Sequence, residues 1–195
     1  MGPNSVFLSL FLLSLTFTIL LPLYSSSSLP TQNSTDLISK TCNQTGDYYF
    51  NQTAAYDFCV ASLESDPRSS SGDVSVFVEI LIELASSNVS HTYPYIYQLY
   101  NETSEFVMKD RLSVCLKMYE SMGRELKEAH YSLSIKNYGG VIDNMGYALD
   151  DTVTCAEGFY EPPVRKSPFS QQTSVLEHLC RITLAIDNIL VKGSF

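Results

Sequence analysis

The residues of this chain best equipped for chemistry are its five cysteines and three histidines, and their spacing decides which chemistry is open to them. Cys42, Cys59, Cys115, Cys155 and Cys180 contain no C-x-x-C pair, so they spell neither a dithiol redox motif nor a zinc half-site. What remains is oxidation in pairs. With Cys180 as the odd one, the other four allow three pairings that spacing alone does not separate. His91, His130 and His178 are scattered without ligand spacing and read as surface or packing residues. Asp150-Asp151 has the composition of an acid/base pair, but adjacent helical residues point about 100° apart and do not converge on one atom. A solvated helix face is the better reading. Gly139-Gly140 is too short to cradle a phosphate and instead loosens a helix start. No G-x-S-x-G, H-E-x-x-H, P-loop or dinucleotide fingerprint is present. Neither catalytic residue nor metal nor cofactor is predicted, and binding is favoured over catalysis.

The positions around these cysteines indicate the compartment. Val6 to Leu23 is apolar apart from a few Ser and Thr and is followed by Tyr24 and a serine run, which reads as a signal peptide over residues 1–28. The n-region carries no Lys or Arg, so a signal anchor is the competing reading; the serines break the segment where a spanning helix would have to continue. Five sequons, at Asn33, Asn43, Asn51, Asn88 and Asn101, favour the secretory route. They mark Asn43, Asn51, Asn88 and Asn101 as solvent-facing, with Asn33 in a flexible tail. The net charge of −9 lies wholly beyond residue 35. Nucleic acid and anionic membranes are poor partners for such a surface, and no stable membrane association is predicted.

The elements that must position these residues are helices. From Met108 the apolar positions run through Leu112, Cys115, Tyr119, Met122, Leu126 and Ala129 in alternating steps of four and three, as bundle packing requires. Val141, Met145, Ala148, Thr152, Cys155 and Phe159 repeat the rhythm, and Val175, Leu179, Ile182, Ile186 and Ile189 form a last stripe that Gly193 stops. Asp73 caps an earlier helix carrying Val74, Phe77, Leu81 and Leu84, predicted to reach about Tyr100 with a bend near Pro94. The prediction is all-α: an up-and-down four-helix bundle over residues 72–195. Ahead of it, residues 29–71 form an N-terminal extension of shorter helices with a linker at Ser65 to Gly72. Cys115 and Cys155 fall on the inward stripes of consecutive antiparallel helices, where a bridge would tie them near mid-length, and Cys42 with Cys59 would close the extension on itself. Cys180 reads as a quiet buried thiol, with a reactive or intermolecular thiol as the alternative.

Cys42, then Asp57 through Cys59 to Ser65-Asp66-Pro67-Arg68-Ser69, then Cys115, then Ala148 through Asp150-Asp151 to Cys155 and Phe159, together resemble the plant invertase and pectin methylesterase inhibitor domain, nearest to its invertase-inhibitor subgroup. The resemblance spans about residues 36–193. It implies a four-helix bundle with an N-terminal helical hairpin and two intrachain disulfides, Cys42 to Cys59 and Cys115 to Cys155, leaving Cys180 free. It also implies a secreted inhibitor of the apoplast, or alternatively the vacuole. Such an inhibitor is a monomer, or alternatively a dimer, that occludes the substrate cleft of pectin methylesterase or acid invertase one to one.

Two departures qualify what is carried over. Sixteen residues separate Cys42 from Cys59, more than the family's usual spacing, which predicts a glycosylated bulge at Asp47 to Thr53. Some invertase inhibitors resemble one another in a Pro-Lys-Phe turn before the third bundle helix, whereas this chain has Tyr138-Gly139-Gly140 there, and the target is left undecided. Lys166-Ser167-Pro168-Phe169-Ser170 is similar to the connection before the last helix in invertase inhibitors. The predicted target contacts are the turn residues Lys136, Asn137, Tyr138, Gly139 and Gly140, at the rim of the polar, acidic outer faces of the second and third bundle helices. A secreted carrier for a small apolar ligand is the alternative, although bulky stripe residues would fill its interior.

Overall fold

The computed structural model describes residues 32–45 and 52–193, and all regular structure among them is helical. A hairpin of α1 (Gln32–Gln44) and α2 (Gln52–Glu64) leads through a short 3-10 helix (Pro67–Ser71) into α3 (Val74–Glu102), α4 (Phe106–Ser134), α5 (Tyr138–Glu157) and α6 (Ser170–Lys192). The last four form the bundle. Short connections make successive helices antiparallel, and α6 closes the ring by packing against both α5 and α3. The predicted signal segment lies outside the described residues, as does the Asp47 to Thr53 insertion apart from its last two residues, which open α2. Asn33 falls in the first turn of α1, not in a tail.

Helices α3, α4 and α5 each start where a side chain accepts from a free amide of the first turn, whereas α6 begins after Phe169 without such a cap. The Asp73 carboxylate accepts from the Ser75 amide, and Glu105 accepts from Val107 and Met108 at the start of α4. At the other end, Gly193 stops α6 in the left-handed conformation at φ 61°. Pro94 does not end α3, which runs through it. The amide that Pro94 lacks would have bonded the Ser90 carbonyl, and both residues face solvent, where water can replace the lost partner.

The predicted stripes of α4 and α5 are the buried stripes, Leu112 to Ala129 and Val141 to Phe159. α6 differs. Val175 is only partly covered, while Thr173, Leu176, Cys180, Thr183 and Asp187 are buried alongside Leu179, Ile182, Ile186 and Ile189. The reason is that α6 faces the bundle on one side and the hairpin on the other; His178, for example, packs its ring 5.3 Å from that of Phe58 on α2. A helix with two partners buries two stripes. The connection between α5 and α6 is held from beneath by Phe169, whose ring meets Phe159 and Tyr119 edge-on at 5.7 and 6.2 Å. The Lys166 to Ser170 stretch is thus an anchor of the fold.

Two disulfides tie this architecture. Cys42 is joined to Cys59 across the hairpin, and Cys115 to Cys155 between α4 and α5, with Cα atoms 5.7 and 4.7 Å apart. By loop closure alone they are worth about 3 and about 4 kcal/mol.

Candidate functional site

The α4–α5 turn is built by local hydrogen bonds that fix its shape. Ile135 ends α4, and Lys136 takes a left-handed conformation at φ 57°, unusual for a residue with a Cβ. The Asn137 amide then donates to the Ser132 carbonyl at 2.8 Å. The Asn137 side chain caps α5 by accepting from the Gly140 amide at 3.1 Å. Gly140 is required for this approach, because a Cβ there would sit 2.6 Å from Asn137 Nδ2 and 2.7 Å from Ser132 Oγ. This steric role comes in addition to the loosening of the helix start expected of the glycine pair. Gly139 has no such constraint, its nearest contact being 3.8 Å away.

Around this turn the surface mixes exposed aromatic and aliphatic groups with charge. Lys136, Asn137 and Gly139 are exposed, as are Tyr131 and Ile135 just before them and Tyr147 two turns into α5; Tyr138 and Gly140 are half-buried. A shallow pocket of about 160 Å³ between Lys136, Tyr138, His130 and Glu79 opens beside the turn. The charges divide unequally between the two helices. α5 carries Asp143, Asp150, Asp151 and Glu157 and no basic residue, whereas α4 balances five basic residues against four acidic ones. The predicted acidity belongs to α5 alone. Burial, reinforced by the neighbouring Asp150 charge, pushes the Asp151 carboxyl above the ordinary range against a hydrogen bond from Ser121.

The structure assigns a role to Asp66-Pro67-Arg68-Ser69, which the sequence supplied only as a family signature. Asp66 caps the 3-10 helix by accepting from the Arg68 amide at 2.8 Å, and its carboxylate also receives the Arg68 guanidinium. Arg68 extends further to Glu83 and, at 3.9 Å, to Glu79, both on α3. Ser69 is buried and donates to the Asp66 carbonyl. The predicted linker is therefore a clasp that docks the hairpin on the bundle. The Arg68 guanidinium holds both Asp66 and Glu83 below the usual carboxylate range. Glu79, Glu83 and His130 could converge on a metal ion, but Arg68 already supplies their cation.

Of the predicted glycan carriers, Asn43 and Asn101 are exposed, and Asn51 lies outside the described residues. Asn88 does not face solvent freely: it is half-buried, and its amide donates to the Gln172 carbonyl of α6 at 3.1 Å. Its sequon sits mid-helix, where a periodicity that assigns only apolar residues to the interface overlooks it. Cys180 is fully buried, and burial pushes its thiol up to about 12. No described group of acid, base and nucleophile converges on one point.

Fold and staples thus define a disulfide-tied helical bundle with an N-terminal hairpin. Comparison with known proteins names its class. Residues 36–186 match the family model for the plant invertase/pectin methylesterase inhibitor, and the chain belongs to that family, whose members are enzyme inhibitors and not enzymes. It is 30% identical over 187 residues to the pectinesterase inhibitor of Actinidia deliciosa, covering 96% of this chain and 94% of that one. It is 33% identical over 185 residues to the cell wall / vacuolar inhibitor of fructosidase 2 of Arabidopsis thaliana, covering 92% and 98%. A Platanus orientalis protein assigned to invertase inhibition is 31% identical over 157 residues, covering 80% and 91%. Among solved structures, a mutant form of an Arabidopsis pectin methylesterase inhibitor superposes with a TM-score of 0.66 at 20% identity, over 76% of this chain and 95% of that one. That likeness speaks for the fold.

Proposed function

We propose that this protein is a secreted inhibitor of a plant pectin methylesterase or acid invertase, acting as a one-to-one, non-covalent cover over the enzyme's substrate cleft. Family membership carries the inhibitor class. The observation that carries the mechanism is the α4–α5 pair: two long helices joined by a capped turn and cross-tied at Cys115–Cys155, so that their shared face is preorganised and gives up little entropy on docking. The turn from Lys136 through Asn137, Tyr138 and Gly139 to Gly140 forms the rim of the contact, and the acidic face of α5 steers a basic partner surface. No Pro-Lys-Phe run stands at the turn, which reads Lys136-Asn137-Tyr138-Gly139-Gly140, so a plug of that kind is not part of the proposal and the choice between the two enzymes is left to the test below. Both disulfides suit an oxidising compartment, and no helix among the described residues is long and apolar enough to cross a membrane. The apoplast is the proposed site of action, with the vacuole as the alternative.

The carrier reading gains little from the structure. Tyr119, Met122, Leu126, Met145 and Ile186 are almost wholly buried and occupy the bundle interior. A concavity of about 860 Å³ opens to solvent between α3 and α4, with Val89, Tyr119 and Leu126 among its lining. The test is inhibition of both purified enzymes by the wild-type chain and by Asp143→Lys with Asp150→Lys on α5. The double charge reversal is expected to weaken inhibition of the true target at least tenfold at low salt and less at high salt. Inhibition that is insensitive to the reversal, to salt and to pH between about 4.5 and 7.5 would remove α5 electrostatics from the mechanism.

A further inference from the structure

Asp187 is the one carboxylate among the described residues that the fold encloses entirely: it has no solvent exposure, and neither of its oxygens has a hydrogen-bond partner. Its place follows from the helix register. Asn88 of α3 meets Gln172 of α6. Because the two helices are antiparallel, Asp187 lies level with the start of α3. That is the end of the bundle where α4 turns into α5 at Lys136 to Gly140. Asp187 continues the buried stripe of Leu176, Cys180 and Thr183, and Thr183, one turn before it, spends its hydroxyl on the Leu179 carbonyl and cannot donate to the carboxyl.

We propose that Asp187 is a proton-controlled latch of this end of the bundle: protonated, its carboxyl packs as a neutral group, and ionised, it becomes an unpaired charge inside the last layer and loosens the helix ends that hold the Lys136–Gly140 turn. Ionising it strands a carboxylate away from water, which is among the costliest things a core can contain. The ionisable groups at this end include Asp73, Glu79 and Glu83 on α3, Asp66 and Arg68 on the 3-10 helix, His130 on α4, Lys136 and Tyr138 at the turn, Lys192 on α6, and Asp36 and Glu64 on the hairpin. All of them are at least partly exposed. None contributes to the behaviour of Asp187, whose carboxyl is pushed up to about 7 by burial alone. The latch is therefore set by the packing of the layer and owes nothing to a neighbouring charge. It operates in the range between acidic and neutral solution.

The sign follows from linkage. The folded pKa exceeds the unfolded one, so folding takes up a proton between them. The stabilisation is complete below the ordinary aspartate value and is lost as pH rises through about 7. Urea unfolding of the full chain between pH 5 and pH 8 should show the unfolding constant of the wild type rising roughly a hundredfold more than that of Asp187→Asn or Asp187→Leu. Should both variants fail to fold, carbon-13 NMR of aspartate-labelled wild type decides on its own, with one side-chain carboxyl expected to titrate near 7. Hydrogen exchange, corrected for the intrinsic pH dependence, should show residues 136–141 losing protection above pH 7 while Phe106 to Lys117 keep theirs. The inference is overturned if every aspartate titrates below about 5, if wild type and variants share one stability profile, or if the turn's protection does not change with pH. These readouts require no target enzyme, so they stand apart from the proposed inhibition.

Discussion

Gly140 and Cys180 show how single residues constrain this molecule without performing chemistry. Gly140→Ala must push aside Asn137 or Ser132, so loss of the α5 cap should cost about 1–2 kcal/mol. Gly139→Ala, with open space, should be nearly neutral; thermal melts of the two variants separate the outcomes. For Cys180, full burial and a thiol pushed up to about 12 predict that a thiol-specific reagent at pH 8 leaves the native protein unlabelled and labels one cysteine in urea. Rapid labelling of the folded protein would instead expose a reactive thiol. The sequence conveyed Cys180 well, because its apolar neighbours announce burial, but it conveyed Asn88 and Asp187 poorly. Both are polar residues at interfaces. Asn88 is held by a carbonyl of another helix, and Asp187 continues the buried stripe of Thr173, Cys180 and Thr183, whose Thr173 hydroxyl meets Tyr119 of α4 in the bundle interior.

Among the elements, α4 and α5 were legible because each buries a single stripe, so that apolar periodicity and burial coincide. The Ser65 to Gly72 segment was not, because it has the composition of a linker and its structure comes from Arg68 reaching carboxylates on α3, a long-range contact. Removing that guanidinium with Arg68→Gln should release the hairpin from the bundle and speed limited proteolysis between Ser65 and Gly72, with the bundle left intact. Acid should act the same way. Asp66 and Glu83 have folded pKa values held down by Arg68, so their contribution is present above the ordinary carboxylate range and is lost as pH falls through the lowered values. Cleavage that Arg68→Gln does not accelerate would contradict the clasp. The two disulfides should differ in reach. Cys115→Ser with Cys155→Ser should destabilise the bundle by about 4 kcal/mol, whereas Cys42→Ser with Cys59→Ser should cost about 3 kcal/mol and fall mainly on the hairpin; urea titration monitored by helix content and by hairpin proteolysis tells them apart.

At the scale of the whole molecule, charge, staples and shape converge on binding. An acidic α5 faces outward, a near-neutral α4 lies beside it, and the turn joining them is rigid. The sequence suggested acidic outer faces on both the second and third bundle helices; with the helix bounds fixed, α5 alone carries an unbalanced negative charge, and the basic residues of α4 offset its acidic ones. The central claim is that the oxidised, folded chain inhibits one of the two enzymes that give the family its name. The most direct measurement is parallel titration of a purified pectin methylesterase and a purified invertase with the oxidised chain and with a reduced, alkylated sample. The account predicts saturable inhibition of one enzyme at one inhibitor per active site, lost in the reduced sample. Full activity of both enzymes in excess folded inhibitor, or equal inhibition by the reduced chain, would contradict it.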